Sequence, residues 1–186
     1  FYILREAWNI LNAIAEGKIE SGDEKKLNAL KGETMAVIAL CQFDLTRCFG
    51  YPYTKDKGAS LGAPLIDHLV GTYENPPRST VAQAYDFIIE TLEEAVTLMS
   101  EEKNNGRMNK YAARALLARI YLYHDDNRKA FDLADQLIKD ADTSGSYALY
   151  PHEKYVAAWS VEAKFGSESF FEIANSVDDT PGRDSW

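Results

Sequence analysis

An all-α fold of antiparallel helical hairpins joined by long ordered loops is what this 186-residue sequence predicts, on three observations. Apolar residues recur every three or four positions along five separate stretches. Capping residues and glycines bracket those stretches. The last two are separated only by "HDDN", a link so short that the helices it joins must run antiparallel and side by side.

The first helix is predicted over residues 2–16, with Ile3, Ala7, Ile10, Leu11 and Ile14 on one face and Gly17 suited to its end. The second starts at "SGDE", where Ser21 and Glu24 have capping-box spacing, and continues to Gly50. Its middle, "MAVIALC", is apolar all round, so it must be covered on several sides. Residues 51–79 then read as a long loop, "YPYTKDKGASLGAPLIDHLVGTYENPP" having glycines, prolines and no sustained period. Tyr51, Tyr53, Leu61, Leu65, Ile66 and Leu69 are anchors that should keep it packed, and loops of this length commonly carry function.

The third helix follows Thr80 and Gln83, another capping-box pair, and buries Val81, Tyr85, Ile88, Leu92, Ala95 and Met99. "EEKNNG" breaks it, and the acidic "SEEKNN" reads as a solvated helix end. The fourth, over 110–123, buries Ala113, Leu116, Leu117, Ile120 and Tyr121. The fifth, over 128–141, buries Ala130, Phe131, Ala134, Leu137 and Ile138, with Asn127 as its N-cap. Residues 143–186 form a loop-rich C-terminal part with a short helical "YVAAW" and an apolar "SFFEIAN" that fits a strand or a short helix.

Twenty basic against 29 acidic side chains give a net charge of −9, which repels phosphate backbones and anionic headgroups and argues against nucleic acid or a bare membrane as partner. No apolar run is long enough to span a bilayer, so any membrane attachment is expected through a lipid anchor outside this chain. Cys41 and Cys48, seven residues apart on one helix, are too distant to bond and are predicted to be buried free thiols. Residues 1–186 are expected to form one helical domain and to be a piece of a longer chain, because the sequence opens on Phe1 inside a helical pattern and stops at "DDTPGRDSW".

Leu117, Ala118, Tyr121 and Ala130 fall at the relative offsets of the tetratricopeptide motif, where small residues face each other across a helix pair. A longer pattern runs through the whole chain. "GETMAVIALCQFDLTRCFGYPY", with Phe43, Leu45, Arg47, Phe49, Gly50, Pro52 and Tyr53, is followed by "LGAPL", "PPRSTVAQAYDFIIETLEEA", "GRMNKYAARALLARIYLYHDDNRKAFDLADQLI" and "GSESFFEI". In that order these segments resemble the SusD/RagB family of nutrient-binding outer-membrane lipoproteins. Two positions depart from the family pattern: the usual arginine is missing from "AVIAL", and Thr91 stands where an aspartate is usual.

The resemblance implies tetratricopeptide-like hairpins, a lipid tether on the outer face of the outer membrane, a TonB-dependent, SusC-like transporter as partner, and an oligosaccharide or peptide as ligand. It also implies that loops, rather than the hairpins, contact ligand. Sugar recognition wants flat aromatic faces rimmed by amides and carboxylates. Tyr73, Asn75, Trp159 and Trp186 are the candidates in loop-like surroundings. Trp159 reads first as a core residue and second as a platform, and Trp186 competes with the plain reading of a loose terminus.

No catalysis, cofactor or metal is expected. His124, Asp125 and Asp126 are consecutive and point different ways, His68 and His152 stand apart from them, and the common phosphate-binding and hydrolytic motifs are missing. The competing function is an intracellular tetratricopeptide-like scaffold for protein partners. That reading requires a 34-residue repeat and has no place for the long loop.

Overall fold

The computed structural model describes residues 1–19, 22–159 and 165–173. Its helices are α1 (Tyr2–Ala15), α2 (Glu24–Phe49), α3 (Val81–Leu98), α4 (Lys110–Tyr123), α5 (Asn127–Ser144) and the single turn α6 (Tyr155–Ala158). One small antiparallel ribbon, β1 (Leu61–Pro64) with β2 (Arg78–Thr80), joins them, together with 3₁₀ turns at Tyr53–Lys55 and His152–Lys154. The all-α expectation holds, with helix limits close to those read from the apolar spacing.

The caps explain where the helices start. Thr80 Oγ1 accepts from the Gln83 N–H at 3.1 Å while Gln83 Oε1 accepts from the Thr80 N–H at 2.9 Å, the reciprocal box expected for α3. Asp23 caps α2 by accepting from the Lys25 and Lys26 N–H groups. Ser21, proposed for that role, lies outside the described residues. At α5 the cap is Asp126, accepting from the Lys129 N–H at 3.2 Å, and Asn127 is already helical. The one-residue shift follows from Asp125, whose φ of +69° turns the chain before α5 begins.

α2 is the central rod, with α1 on one side and α3 on the other; α3 then packs on α4, and α4 on α5. Met35, Ala36, Ile38 and Ala39 are buried and no residue of "MAVIALC" is exposed, as an all-round apolar helix requires. At Gly32 the α2 and α3 backbones come so near that a Cβ would lie 2.9 Å from the Ala95 carbonyl oxygen. Ala113 and Ala130 share the main core with Ala112, Leu117 and Ile120, so small residues do line the α4–α5 side of it. Ala118 is only half-buried.

Three expectations are corrected. On α1 the seam runs through Leu4, Ala7, Trp8 and Leu11, which meet Ile38 and Ile66, while Ile3 and Ile10 are exposed. α1 is covered along one stripe only, so half of its broad apolar face turns outward. On α5, Phe131 and Ile138 are about two-thirds exposed (65% and 66%), and burial falls to Ala130, Leu137 and Ala141. α5 is the outermost rod of the array and has a neighbour on one flank. The thiols are free, but Cys48 is exposed and Cys41 half-buried.

The long loop is more regular than its composition indicates. β1 and β2 pair at Leu61 with Thr80 and Pro64 with Arg78, with an irregular register between. Arg78 reinforces the ribbon by donating to the Gly62 carbonyl at 2.7 Å and the Leu61 carbonyl at 3.0 Å. Of the predicted anchors, Ile66 is buried and Tyr53 half-buried, whereas Tyr51 and Leu61 are exposed. "YVAAW" does form a helical turn, while "SFFEI" is neither strand nor helix through Ile173.

Candidate functional site

The loop between β1 and β2 is held to the helices by side chains rather than by further strands. Gln42, fully buried on α2, donates from Nε2 to the Pro64 carbonyl at 3.1 Å and accepts the Ile66 N–H on Oε1 at 3.3 Å. Trp8 on α1 donates from Nε1 to the Ile66 carbonyl at 3.2 Å. Backbone groups in an irregular segment have no ladder partners and must find others when buried. Here two side chains supply three of them, and the loop leaves α2 in a fixed direction.

Beyond Ile66 the chain doubles back over the start of α1 and encloses a cavity of about 720 Å³. Tyr2 and Arg5 form one wall, Pro64, Ile66 and Val70 the floor, and His68, Thr72 and Asn75 the polar rim. Arg5 lies 5.2 Å from the Tyr2 ring centroid and pairs with Glu6. His68 bridges two acids, with Nδ1 2.6 Å from Asp67 Oδ1 and Nε2 2.6 Å from Glu74 Oε1. Those bonds, Asp67 before Glu74, raise the imidazole pKa above its ordinary value. The Glu74 carboxyl is held low, first by the Gly71 N–H it accepts at 3.0 Å and then by His68. A smaller cleft of about 300 Å³, lined by Phe49, Gly62, Ala63 and Arg78, shares Phe1 and Pro64 with the first, so the two are contiguous.

Two of the four predicted ligand residues sit in this region. Asn75 lines the cavity, and Tyr73, two residues earlier, is 95% exposed, a ring presented to solvent. Trp159 is 76% exposed at the end of α6, with Tyr155 as its ring neighbour at 6.1 Å, so it is not a core residue; nor does it line the cavity. α6 is a single turn with no buried residue, too short to hold a side chain of that size under other elements. Trp186 lies outside the described residues. Sequence reasoning missed Tyr2, Arg5 and His68, because only the fold brings α1 against a loop some sixty positions later. The one local clue was the acidic pair flanking His68 at Asp67 and Glu74.

A crevice of about 560 Å³ between the start of α2 and the α3–α4 link is closed by Glu33, which accepts from Arg107 Nε at 3.0 Å and from the Met108 N–H at 3.1 Å. His124 lies tilted against Tyr53 and Tyr85, with ring centroids 4.2 Å and 5.5 Å away, and burial among them holds its imidazole pKa low despite the nearby Asp86 and Asp126. Phe43 of the "FDLTRCFGYPY" stretch is buried edge-on to Tyr85 and Tyr123, with the Arg47 guanidinium 4.9 Å from its ring centroid. That motif therefore joins the end of α2 to α3 and α4. Among the described residues no group of three His, Cys, Asp or Glu side chains is placed to hold a metal, and no helix is long and apolar enough to cross a membrane.

A family model described as starch-binding associating with outer membrane matches residues 3–122. The chain belongs to the SusD-like family. A SusD superfamily protein of Bacteroides thetaiotaomicron VPI-5482 is 40% identical to this SusD-like chain and superposes with a TM-score of 0.88, covering 94% of this chain and 37% of its own. A candidate sugar-binding protein of Bacteroides vulgatus ATCC 8482 is 39% identical with the same TM-score of 0.88, over 97% of this chain and 41% of its own. A SusD-like carbohydrate-binding protein of the same species, 23% identical, shares the fold at a TM-score of 0.78 over 94% of this chain and 36% of its own. This SusD-like chain thus spans well under half the length of the solved relatives it matches. No curated protein matches it.

Proposed function

We propose that this SusD-like chain is the helical part of a surface nutrient-binding protein that captures an oligosaccharide at the cavity between α1 and the β1–β2 loop. The observation that carries this reading is that Asn75 lines a 720 Å³ cavity while Tyr73, two residues earlier and outside the lining itself, holds a ring 95% open to solvent. An exposed aromatic face costs solvation unless something covers it, and the apolar face of a pyranose is a natural cover. Asn75, Thr72, Asp67 and Glu74 offer the donors and acceptors that sugar hydroxyls need. The family's starch-binding description favours sugar over peptide, and the outer membrane over an intracellular scaffold. In the full protein we place a lipid tether outside these residues, and a TonB-dependent, SusC-like transporter to which the captured ligand passes. Because the chain covers 37% of its 40%-identical relative, further ligand contacts belong to residues outside it.

The test is a glycan and peptide binding screen on the full-length protein, repeated with Tyr73→Ala and Asn75→Ala. An oligosaccharide hit weakened about tenfold by Tyr73→Ala, the ~1.4 kcal/mol of one lost stacking contact, is expected. A glycan hit indifferent to both substitutions would move the site elsewhere. Binding to neither class, with a cytosolic partner copurifying, would replace this reading by the scaffold.

A further inference from the structure

The loop that carries Tyr73 and Asn75 has no secondary structure of its own beyond Ile66, yet it closes on itself through one side chain. His68 reaches both ways along it, to Asp67 beside it and to Glu74 across the turn, each at 2.6 Å. Glu74 in turn accepts the Gly71 N–H, so residues 67–74 form a ring of polar contacts with the imidazole at its centre. A neutral imidazole has one N–H and one bare nitrogen, and a bare nitrogen facing a carboxylate oxygen repels it. Both contacts are bonds only when both ring nitrogens carry protons. The arrangement is therefore that of an imidazolium between two carboxylates.

We propose that His68 is a positioning residue for ligand capture: as an imidazolium it fastens the 67–74 loop in the shape that turns Asn75 to the cavity and Tyr73 to solvent beside it, so capture is strongest where His68 is protonated and weakens in alkaline solution. This rests on the binding role proposed above. The other charged or titratable side chains lining the cavity are Tyr2 and Arg5 of α1, and Arg5 is already neutralised by Glu6, which lies off the lining, at 3.0 Å. With His68 charged, the loop's own groups sum to one negative charge; with it neutral, two carboxylates face the ring with no positive charge between them and only one N–H to share.

The sign follows from the direction of the shift. The imidazole pKa is raised in the folded chain above its ordinary 6.5, so the fastening is complete below that value and is lost as pH climbs through the raised one. His68→Gln carries no charge, and its two N–H donors sit on a single nitrogen, so it cannot span both acids as the two ring nitrogens do. His68→Arg keeps a permanent charge and donors on two edges.

The test has a ligand-free arm and a ligand arm, both on the full-length protein. In the first, the Gly71 amide and the His68 ring are followed by NMR from about pH 5.5 to about pH 9. Wild type should show one shared midpoint above the ordinary histidine value, and His68→Gln no transition at Gly71. In the second, maltoheptaose affinity should fall several-fold across the same range in wild type, be weak and flat in His68→Gln, and be restored and flat in His68→Arg. A Gly71 amide that does not move with His68 overturns the fastening, and an affinity profile unchanged in His68→Gln overturns the positioning role. A shared midpoint with no maltoheptaose binding at any pH supports the fastening and counts against the starch-type ligand instead.

Discussion

Replacing Gln42 by methionine, which has nearly the same length and volume, removes two hydrogen bonds to the β1–β2 loop while leaving the packing of α2 in place. The Ile66 N–H is buried, and without an acceptor it costs about 1–3 kcal/mol. The Pro64 carbonyl is half-buried and open to water, so its loss adds about 0.5–1.5 kcal/mol. The sum, about 1.5–4.5 kcal/mol, corresponds to a melting point lower by roughly 4–14 °C for a domain of this size. Urea denaturation followed by far-UV dichroism measures it, with Trp8→Phe, which removes the 3.2 Å bond to the Ile66 carbonyl together with part of the indole's packing on Leu4, Ala7 and Ile38, as a companion at about 1–3 kcal/mol. A Gln42→Met variant within about 0.5 kcal/mol of the parent would show that the loop is not held by this side chain. The direction assigned to Tyr73 and Asn75 would then have lost its physical basis.

Two further expectations follow from packing. Ala113→Leu forces extra volume into the fully buried main core and should cost about 1–3 kcal/mol in the same denaturation assay; no change would mean the core has slack there. Cys48 should react with a thiol probe well before Cys41, because burial pushes the Cys41 thiol up and shelters it; equal rates would contradict the packing around α2.

The helices were legible because each carries its own evidence. Spacing gave the buried face of α3 residue by residue, and the Thr80–Gln83 box marked its first turn. Where the sequence misled, burial was decided by neighbours that local pattern does not contain. Ile3 and Ile10 on α1, and Phe131 and Ile138 on α5, fit an amphipathic stripe as well as the residues that are buried, but the outer rods of an array are covered along a single line. The β1–β2 loop failed for a related reason: its order comes from Gln42 and Trp8, which are far away in sequence, and its ribbon pairs strands of four and three residues. Tyr73 and Asn75 could be found as unpartnered residues in a turn-rich stretch. Arg5, Tyr2 and His68 could be found only once α1 was laid against that stretch.

Asn109 shows how one polar side chain can carry both local and long-range order. It lies just before α4, accepts the Ala112 N–H on Oδ1 at 3.1 Å as N-cap, and donates from Nδ2 to the Tyr147 hydroxyl at 2.7 Å and the Glu102 carbonyl at 3.3 Å. Burial pushes the Tyr147 phenol up, so it stays a neutral acceptor through the physiological range. Tyr147 in turn packs edge-on to Phe170 at 4.7 Å, and Lys103 donates to the Gly166 carbonyl at 2.8 Å over the same ring. The segment after α5 is thus tied to the α3–α4 link through the Asn109 amide and the Lys103 ammonium. Asn109→Ser keeps an oxygen for the cap and loses both donated bonds, at about 1–2 kcal/mol, while Asn109→Ala loses the cap as well and about 1 kcal/mol more. The two variants also differ in place: near-UV dichroism of the tyrosines should change in both, but hydrogen exchange in the first turn of α4 should rise only in Asn109→Ala. If Asn109→Ser matched the parent in stability and in its tyrosine signal, the bond to Tyr147 would hold nothing, and the C-terminal segment would have to be anchored by Lys103 and its aromatic contacts.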